Sequence, residues 1–162
     1  QLKANFAREP RVAVHERDGY AAMKAMLPPR IGAVKFARGL VLVDPPYEAQ
    51  LDEFDAIIGG LRDALTRWPQ GIFAVWYPIK LRRALQPFFR RAATLPAKSS
   101  LLAELMVRED DSPLRMNGSG MLVVNPPWQL DQQLKPALAK VAKVLAETAG
   151  ASARVEWLKT ER

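Results

Sequence analysis

The stretch Asp44-Pro45-Pro46-Tyr47 directly follows an unbroken apolar run at residues 39–43. An apolar run of that length, made of leucine and valine, is typical of a strand covered on both faces in a parallel sheet. Two prolines cannot continue strand pairing, because proline lacks the N–H that a sheet ladder needs. The pattern therefore predicts a central strand that ends at Asp44, at the edge of an α/β sheet where ligands bind.

The groups in this tetrapeptide suit methyl transfer to the exocyclic amine of a nucleobase. The lone pair of such an amine is delocalised into the ring, so the amine is a poor nucleophile. Asp44 and a rigidly held proline carbonyl can accept its two N–H groups, which frees the lone pair for attack. Tyr47 offers a flat face on which an extruded base can stack. The simpler interpretation is a strand end followed by an ordinary Pro-Pro turn.

Composition limits the kinds of site that the chain can build. At 162 residues it is long enough for one domain with a real core. The net charge of +7 favours a polyanionic partner, most often nucleic acid. With no cysteine and His15 as the only histidine, thiolate and multi-histidine metal sites lack ligands, so no metal is expected. No apolar run reaches the length of a membrane span, and the lack of cysteine fits a reducing cytoplasm.

Apolar periodicity predicts that helices and strands alternate along the chain. Helices are expected at residues 1–7, 20–27, 51–68, 81–93 and 129–148, with a kink at Pro87 and an interruption near Pro136. Strands are expected at residues 11–15, 39–43, 72–76, 101–107, 121–124 and 153–158. Alternation of this kind favours parallel strands with right-handed crossovers, so we expect an α/β, Rossmann-like sheet, mostly parallel with an antiparallel edge.

A second stretch, Asn125-Pro126-Pro127-Trp128, also follows an apolar strand and fits the same catalytic pattern. A catalytic strand in this kind of sheet needs further strands and helices after it to build the sheet on both sides. Asp44 has several such elements after it, whereas Asn125 has one helix and one strand. We therefore predict that Asp44 belongs to the active copy and that residues 125–128 form a strand-to-helix connection.

The chain resembles the bacterial 23S ribosomal RNA adenine-N6 methyltransferases of the RlmJ family along essentially its whole length. The first tetrapeptide is shared by many amino-methyltransferases, but its combination with the later Asn-Pro-Pro-Trp stretch is far more specific. The matching stretches are 18–20, which reads Asp18-Gly19-Tyr20, and 39–48, 71–78 and 119–128. The resemblance implies a class I methyltransferase fold and S-adenosylmethionine-dependent methylation of the N6 amine of an adenine in 23S ribosomal RNA.

The resemblance also implies roles for individual residues. Asp44 is expected to be catalytic and to contact both the cofactor and the reacting amine. Asp18 and Gly19 are expected to hold the adenine end of S-adenosylmethionine. A carboxylate can accept from the adenine amino group, and glycine allows close approach. Asp18 also suits the N-cap of the helix expected at residues 20–27.

Substrate contacts are expected from three further places. Trp76 and Tyr77 end the strand next to Asp44, so they either border the pocket for the target base or form a core aromatic pair. The loop at residues 108–120 carries Arg115 and is expected to grip RNA phosphates, or else is a solvated hairpin loop. The predicted substrate-binding residues are Pro45, Pro46, Tyr47, Trp76, Tyr77 and Arg115.

One feature of the family has no match in this sequence. The family begins with a first strand and a loop of small residues that cradles the methionine part of S-adenosylmethionine. We therefore expect residues 1–162 to be the carboxyl-terminal part of a single methyltransferase catalytic domain whose amino-terminal strands are missing. By itself this stretch is expected to bind S-adenosylmethionine poorly or not at all.

The expected partner is 23S ribosomal RNA, either protein-free or early in assembly, bound by a cytoplasmic monomer that has no membrane contact. Two alternatives stay open on the sequence. A DNA adenine-N6 methyltransferase uses the same tetrapeptide as Asp44-Pro45-Pro46-Tyr47. A non-catalytic RNA-binding module would explain both the basic charge and the unmatched cofactor loop.

Overall fold

The computed structural model describes residues 1–47 and 50–160, and the side chains of all of these except residues 50–52. The helices within these ranges are α1 (Leu2–Asn5), α2 (Gly19–Met26), α3 (Gln50–Arg67), α4 (Gln86–Ala93) and α5 (Leu130–Leu145), and a 3-10 turn covers Arg82–Leu85. The strands are β1 (Arg30–Ile31), β2 (Val34–Lys35), β3 (Leu40–Val43), β4 (Ile72–Ile79), β5 (Ser100–Met106), β6 (Gly118–Val124) and β7 (Ser152–Lys159).

Five of these strands form one mixed sheet in the order β3-β4-β6-β5-β7. Strands β3, β4 and β5 run in one direction, and β6 and β7 run in the other. Only β3 and β4 pair in parallel, so the expectation of a mostly parallel sheet is wrong for the described part of the chain. The cause is β6, which inserts between β4 and β5 and makes both of its own pairings antiparallel.

The main core lies between the sheet and helices α3 and α4. Helix α3 buries an apolar stripe at helical spacing, and alternate residues of β4 are buried with it. These residues are Phe54, Ile57, Ile58, Leu61 and Leu65 of α3 and Phe73, Val75 and Tyr77 of β4. Phe88 of α4 stacks on Phe54 with ring centroids 4.3 Å apart, which ties α4 to α3. Strand β4 is therefore held firmly along its length.

One row of residues across the sheet contains a buried charge. The carboxylate of Glu104 is fully buried and accepts from the Tyr77 hydroxyl at 3.1 Å. The Nε atoms of Arg82 and Arg154 lie 3.1 and 3.2 Å from it, close enough for ion pairs although their N–H directions miss hydrogen-bond geometry. Burial, reinforced by the Glu104 charge, raises the pKa of Tyr77, so its hydroxyl remains a donor. Gly120 lies between Tyr77 and Glu104 in this row.

Strand β3 lies at one edge of the described sheet and is less buried than predicted. Leu40 and Leu42 are 67% and 63% exposed, whereas Val41 and Val43 pack against the core. Successive side chains of a strand point to opposite faces, so one face of β3 is covered and the other is open. The expectation of a central strand covered on both faces is wrong within the described residues.

Other departures from the predicted elements have local causes. Residues 12–16 form no regular structure, because no described strand pairs with them, so the strand predicted at 11–15 is wrong. Pro87 lies in the first turn of α4, where a missing N–H costs little, and it does not kink a longer helix. Helix α5 continues through Pro136. The sequence patterns did not indicate the β1–β2 hairpin, in whose turn Gly32 has φ +59°.

Substitution of Gly120 by alanine is expected to destabilise the protein by about 1–3 kcal/mol. A Cβ at residue 120 would lie 2.2 Å from the ring of the buried Tyr77. Gly59 is the matched control, because a Cβ there meets no atom within 4 Å and alanine favours a helix by about 0.5–1 kcal/mol. The change in the free energy of unfolding, measured in urea, should be a loss for Gly120→Ala and a gain for Gly59→Ala. An unchanged midpoint for Gly120→Ala would contradict the packing of Tyr77.

Candidate active site

A cavity of about 520 Å³ lies at the carboxyl end of β3, between that strand and helices α2 and α3. The cavity therefore brings Asp44 and the two prolines that follow it next to Asp18 and Gly19, which are distant from Asp44 in the sequence. The described lining residues are Asp18, Gly19, Tyr20, Met23, Val41, Leu42, Val43, Asp44, Pro45, Pro46 and Glu53.

Tyr47 fixes the segment that follows β3. Its φ of 54° is a left-handed conformation, which turns the chain after the two prolines. Its hydroxyl donates to the backbone carbonyl of Trp76, and its ring packs edge-on against Trp76 and Phe54, each with a centroid distance of 5.7 Å. Burial raises the pKa of Tyr47, so this hydroxyl stays protonated as a donor. Tyr47 thus anchors the segment to β4, while Asp44 remains exposed at the cavity.

Asp18 forms the N-cap of α2 and also lines the cavity. Its Oδ1 accepts from the backbone N–H of Ala21 at 2.7 Å, which confirms the N-cap interpretation. A carboxylate has a second oxygen with which to accept from a ligand. At the next residue, a Cβ built on Gly19 meets no atom within 4 Å. The glycine therefore leaves open space in the wall of the cavity.

Glu53 is a cavity residue that sequence reasoning missed. It lies in the first turns of α3, and its Oε1 accepts from the Tyr20 hydroxyl at 2.5 Å, which joins α3 to α2. Burial, followed by this hydrogen bond, raises the pKa of Tyr20, so the hydroxyl remains a donor. A usable signal existed, because a helix that follows a strand begins at the edge of the sheet where that strand ends.

The cavity is acidic in a basic protein. Three carboxylates, those of Asp18, Asp44 and Glu53, line it, and none of its described lining residues is lysine, arginine or histidine. The whole chain, in contrast, has a net charge of +7. Neighbouring carboxylates attract a cation and repel a phosphate. The site therefore suits a positively charged ligand and disfavours phosphate-bearing nucleotides.

Four of the six predicted substrate-binding residues lie outside the described lining of this cavity: Tyr47, which packs on the core as described above, and Trp76, Tyr77 and Arg115. Trp76 is half-buried and reaches the site through its contact with Tyr47. Tyr77 is fully buried in the core, with its hydroxyl on Glu104. Arg115 lies in the loop between β5 and β6, where it pairs with Asp111 at 3.1 Å.

The loop that carries Arg115 lies at the same end of the sheet as Asp44. It follows Met106, which pairs with Gly118, and Gly118 pairs with Ile79 at the carboxyl end of β4. The loop is organised by the buried Asn117, whose amide donates to the carbonyls of Lys80 and Ser112 at 2.7 and 2.8 Å. Asn117 thus fixes the end of the loop next to β6, whereas residues 113–116 are exposed to solvent.

Asn125 lies at the other end of the sheet, in the connection from β6 to α5, as predicted. Its Nδ2 donates to the carbonyls of Pro69 and Gly71 at 2.9 and 3.0 Å, and its Oδ1 accepts from the backbone N–H of Lys98 at 3.2 Å. The Asn125 side chain is thus engaged on both its donor and acceptor sides. It joins three segments of backbone and has a structural role.

Two further findings concern the described residues only. They contain no cluster of three or more histidine, aspartate or glutamate side chains placed to hold a metal ion. None of their helices is long and apolar enough to span a bilayer.

The fold and the cavity together define a mixed α/β protein with an acidic cavity at a strand end. Over residues 1–159 the sequence matches the family described as Ribosomal RNA large subunit methyltransferase D, RlmJ. The chain belongs to this family, which confirms the resemblance drawn from its motifs.

Comparison with individual proteins agrees with this assignment. Two curated relatives named ribosomal RNA large subunit methyltransferase J are 37% identical (Haemophilus influenzae) and 34% identical (Escherichia coli) over 160 residues. These matches cover 99% of this chain and 55% of each relative, so the chain spans about half the length of the curated relatives it matches. A crystal structure of a Legionella pneumophila protein is similar at a TM-score of 0.74 and 26% identity, over 86% of this chain and 49% of that one.

Substitution of Asn125 by alanine is expected to lower the free energy of unfolding by about 2–4 kcal/mol. Three hydrogen bonds are lost, each contributing about 1 kcal/mol, and alanine tolerates the φ of 53° less well than asparagine. Gln133→Ala, at an exposed position of α5, is the control and should change stability by less than about 0.5 kcal/mol. Thermal and urea unfolding measure both. Wild-type stability in Asn125→Ala would contradict the structural role.

Proposed function

We propose that this chain is part of an S-adenosylmethionine-dependent enzyme that methylates the N6 amine of an adenine in 23S ribosomal RNA. The acidic cavity that gathers Asp18, Gly19 and Asp44 at the end of β3 is the observation that carries this proposal. The family assignment supports the ribosomal RNA substrate, and the net charge of +7 supports a polyanionic one. The specificity for adenine N6 rests on the Asp44-Pro45-Pro46-Tyr47 sequence.

The chemistry of the cavity fits the cofactor. S-adenosylmethionine is a net cation at neutral pH, and when bound it supplies an electrophilic methyl group. The carboxylate of Asp18 would accept from its adenine amino group, and the open space beside Gly19 would admit the ring. Asp44 and Glu53 would complement its positive charge. The absence of cationic side chains among the described lining residues argues against a phosphate-bearing cofactor.

At the reacting amine, the chain's own groups hold and polarise the substrate. Asp44 would accept one N–H of the adenine amine, and the rigid carbonyl of Pro45 would accept the other. Both bonds strengthen as positive charge develops on the nitrogen, which stabilises the transition state. The alkylated amine can lose its proton after transfer, so no strong general base is needed. Tyr47 holds these groups in place through its bond to the carbonyl of Trp76.

We further propose that residues 1–162 are the carboxyl-terminal part of one class I, Rossmann-like catalytic domain. The open face of β3 supports this, because Leu40 and Leu42 are more than 60% exposed at an edge of the described sheet. Further strands beside β3 would make it central, and the helices that connect such strands would cover its open face. The chain also spans only about half of its curated relatives.

The proposed partner is 23S ribosomal RNA in a protein-free or early-assembly state, bound by a cytoplasmic monomer. Arg115 would contact RNA phosphates from its loop beside the Asp44 end of the sheet, although its pairing with Asp111 already neutralises part of its charge. Arg83 and Arg90, which are exposed near and on α4, would add to the same electrostatic surface.

In the full-length enzyme, Asp44→Ala is expected to lower the rate of methyl transfer at least about 10²-fold, because an acceptor for the developing charge is lost. The melting temperature should change little, since Asp44 is exposed. Asp63→Ala is the matched control, an exposed carboxylate on α3 that pairs with Arg67 away from the cavity. Incorporation of labelled methyl into ribosomal RNA measures the rate. Near-wild-type incorporation by Asp44→Ala would contradict the assignment of Asp44 as the catalytic residue.

Glu53→Gln is expected to weaken binding of S-adenosylmethionine by on the order of fivefold, the effect of removing about 1 kcal/mol of charge attraction. Binding of S-adenosylhomocysteine, which lacks the sulfonium charge, should change by less than about twofold. Glutamine keeps an acceptor for the Tyr20 hydroxyl, so the link between α2 and α3 survives. Calorimetry with both ligands on the full-length enzyme measures the change in affinity that Glu53→Gln causes for each of them. Equal losses for both ligands would assign Glu53 a purely structural role.

A further inference from the structure

A second cavity, of about 550 Å³, lies at the opposite end of the sheet from Asp44. The connection from β6 to α5 forms one side, and the segments that precede β3, β4 and β5, together with the carboxyl end of β7, form the others. The proposed methyl transfer makes no use of it. The lining residues that matter for its chemistry are Arg38, Lys98, Trp128, Gln129, Gln132 and Trp157.

Trp128 is the most unusual of these residues. It is 86% exposed, although it is a large apolar side chain, and Trp157 in the same cavity is 38% exposed. The fold gains little from a tryptophan in this position, because almost none of its ring is buried. Exposed aromatic residues in a concave site are typical of binding surfaces. We therefore infer that Trp128 serves binding rather than the folding of the described chain.

The segment that presents Trp128 is rigid. Asn125 is fixed by its three side-chain hydrogen bonds, and two prolines follow it. Asn125 and Gln129 have φ angles of 53° and 59°, which non-glycine residues rarely adopt. Such conformations are concentrated at functional sites, where surrounding contacts hold them in place. A backbone that is already fixed loses little conformational freedom when a ligand binds, which favours affinity.

The groups around the ring match a nucleotide. Arg38 and Lys98 contribute positive charge for a phosphate, and the amides of Gln129 and Gln132 can bond to base edges. The one carboxylate in the described lining, Asp131, lies 3.8 Å from Lys135 and can accept from a base amino group. Aromatic rings beside cationic groups are the usual means of binding single-stranded nucleic acid. An apolar protein partner would instead need a continuous apolar surface.

We propose that this second cavity binds an unpaired nucleotide of the RNA substrate, with its base stacked on Trp128 and its phosphate beside Arg38. The proposal deepens the proposed function and rests on it for the identity of the RNA. The strand register puts Asp44 just beyond the end of β3 and Asn125 level with the start of β3 but two strands away, so the two residues are separated by about 13 Å along the strands and about 10 Å across them. A short single-stranded segment can span that distance, so this cavity would hold RNA that flanks the target adenine.

The test uses full-length enzyme and in vitro transcribed, unmodified 23S ribosomal RNA. Trp128→Ala is expected to weaken RNA binding about tenfold, measured without cofactor, and to raise the KM for RNA with little change in kcat. Trp128→Phe keeps an aromatic face and should stay within about threefold of wild type. Val144→Ala, 82% exposed on α5, is the control and should bind RNA normally. Cofactor affinity should be unchanged in all three.

A second measurement reports stacking directly. Titration with a single-stranded oligonucleotide should quench tryptophan fluorescence in the wild type, and Trp128→Phe should lose that part of the quenching. An unchanged RNA affinity in Trp128→Ala would overturn the proposal. So would a fall in melting temperature or a change of oligomeric state with normal RNA affinity, since the ring would then pack inside the full-length protein or against another protein.

The two proposals fail in different ways. Methyl transfer that depends on Asp44, with RNA binding that does not depend on Trp128, rejects this inference and leaves the proposed function in place. RNA binding that depends on Trp128, in a protein that transfers no methyl group, supports the inference and rejects the proposed function.

Discussion

Strand β4 pairs in parallel with β3 along one side and antiparallel with β6 along the other. Because β3 and β4 are parallel, the carboxyl ends of the two strands lie at the same end of the sheet, and Asp44 lies beside Trp76. Because β6 and β4 are antiparallel, the carboxyl end of β6 lies at the amino end of β4, and Asn125 lies beside Gly71. The directions of these two ladders therefore assign two similar tetrapeptides to opposite ends of the sheet. The packing of α3 and α4 on β4 stabilises both placements.

The two tetrapeptides distribute their polar and aromatic groups in opposite ways. In the first, Asp44 is exposed at a cavity while Tyr47 packs on the core and donates to β4. In the second, the Asn125 side chain is hydrogen-bonded to the backbone, while Trp128 is exposed to solvent. The acidic group at the first site is thus available for chemistry. At the second site the aromatic ring is the available group, which suits binding rather than catalysis.

Charge is segregated in the described structure. Three carboxylates line the cavity at the end of β3, whereas the chain as a whole carries a net charge of +7. In the proposed function this separation serves two ligands of opposite charge. The acidic cavity would accept a cationic cofactor, and the basic surface would attract RNA phosphates. Because phosphates are repelled from the cavity, the target base would have to enter it away from its own backbone.

The sequence by itself determined most of the local elements and the outline of the site, although it did not indicate the β1–β2 hairpin and wrongly predicted a strand at residues 11–15. The helical stripe of α3, the apolar runs of the sheet strands and the turn after Asp44 all depend on residues close together in the chain. Only the tertiary structure decided that β6 inserts between β4 and β5, that Glu53 joins the cavity and which backbone groups the Asn125 side chain binds. These outcomes depend on strand order and direction, which are set by contacts between distant residues and leave no periodic signal in the sequence.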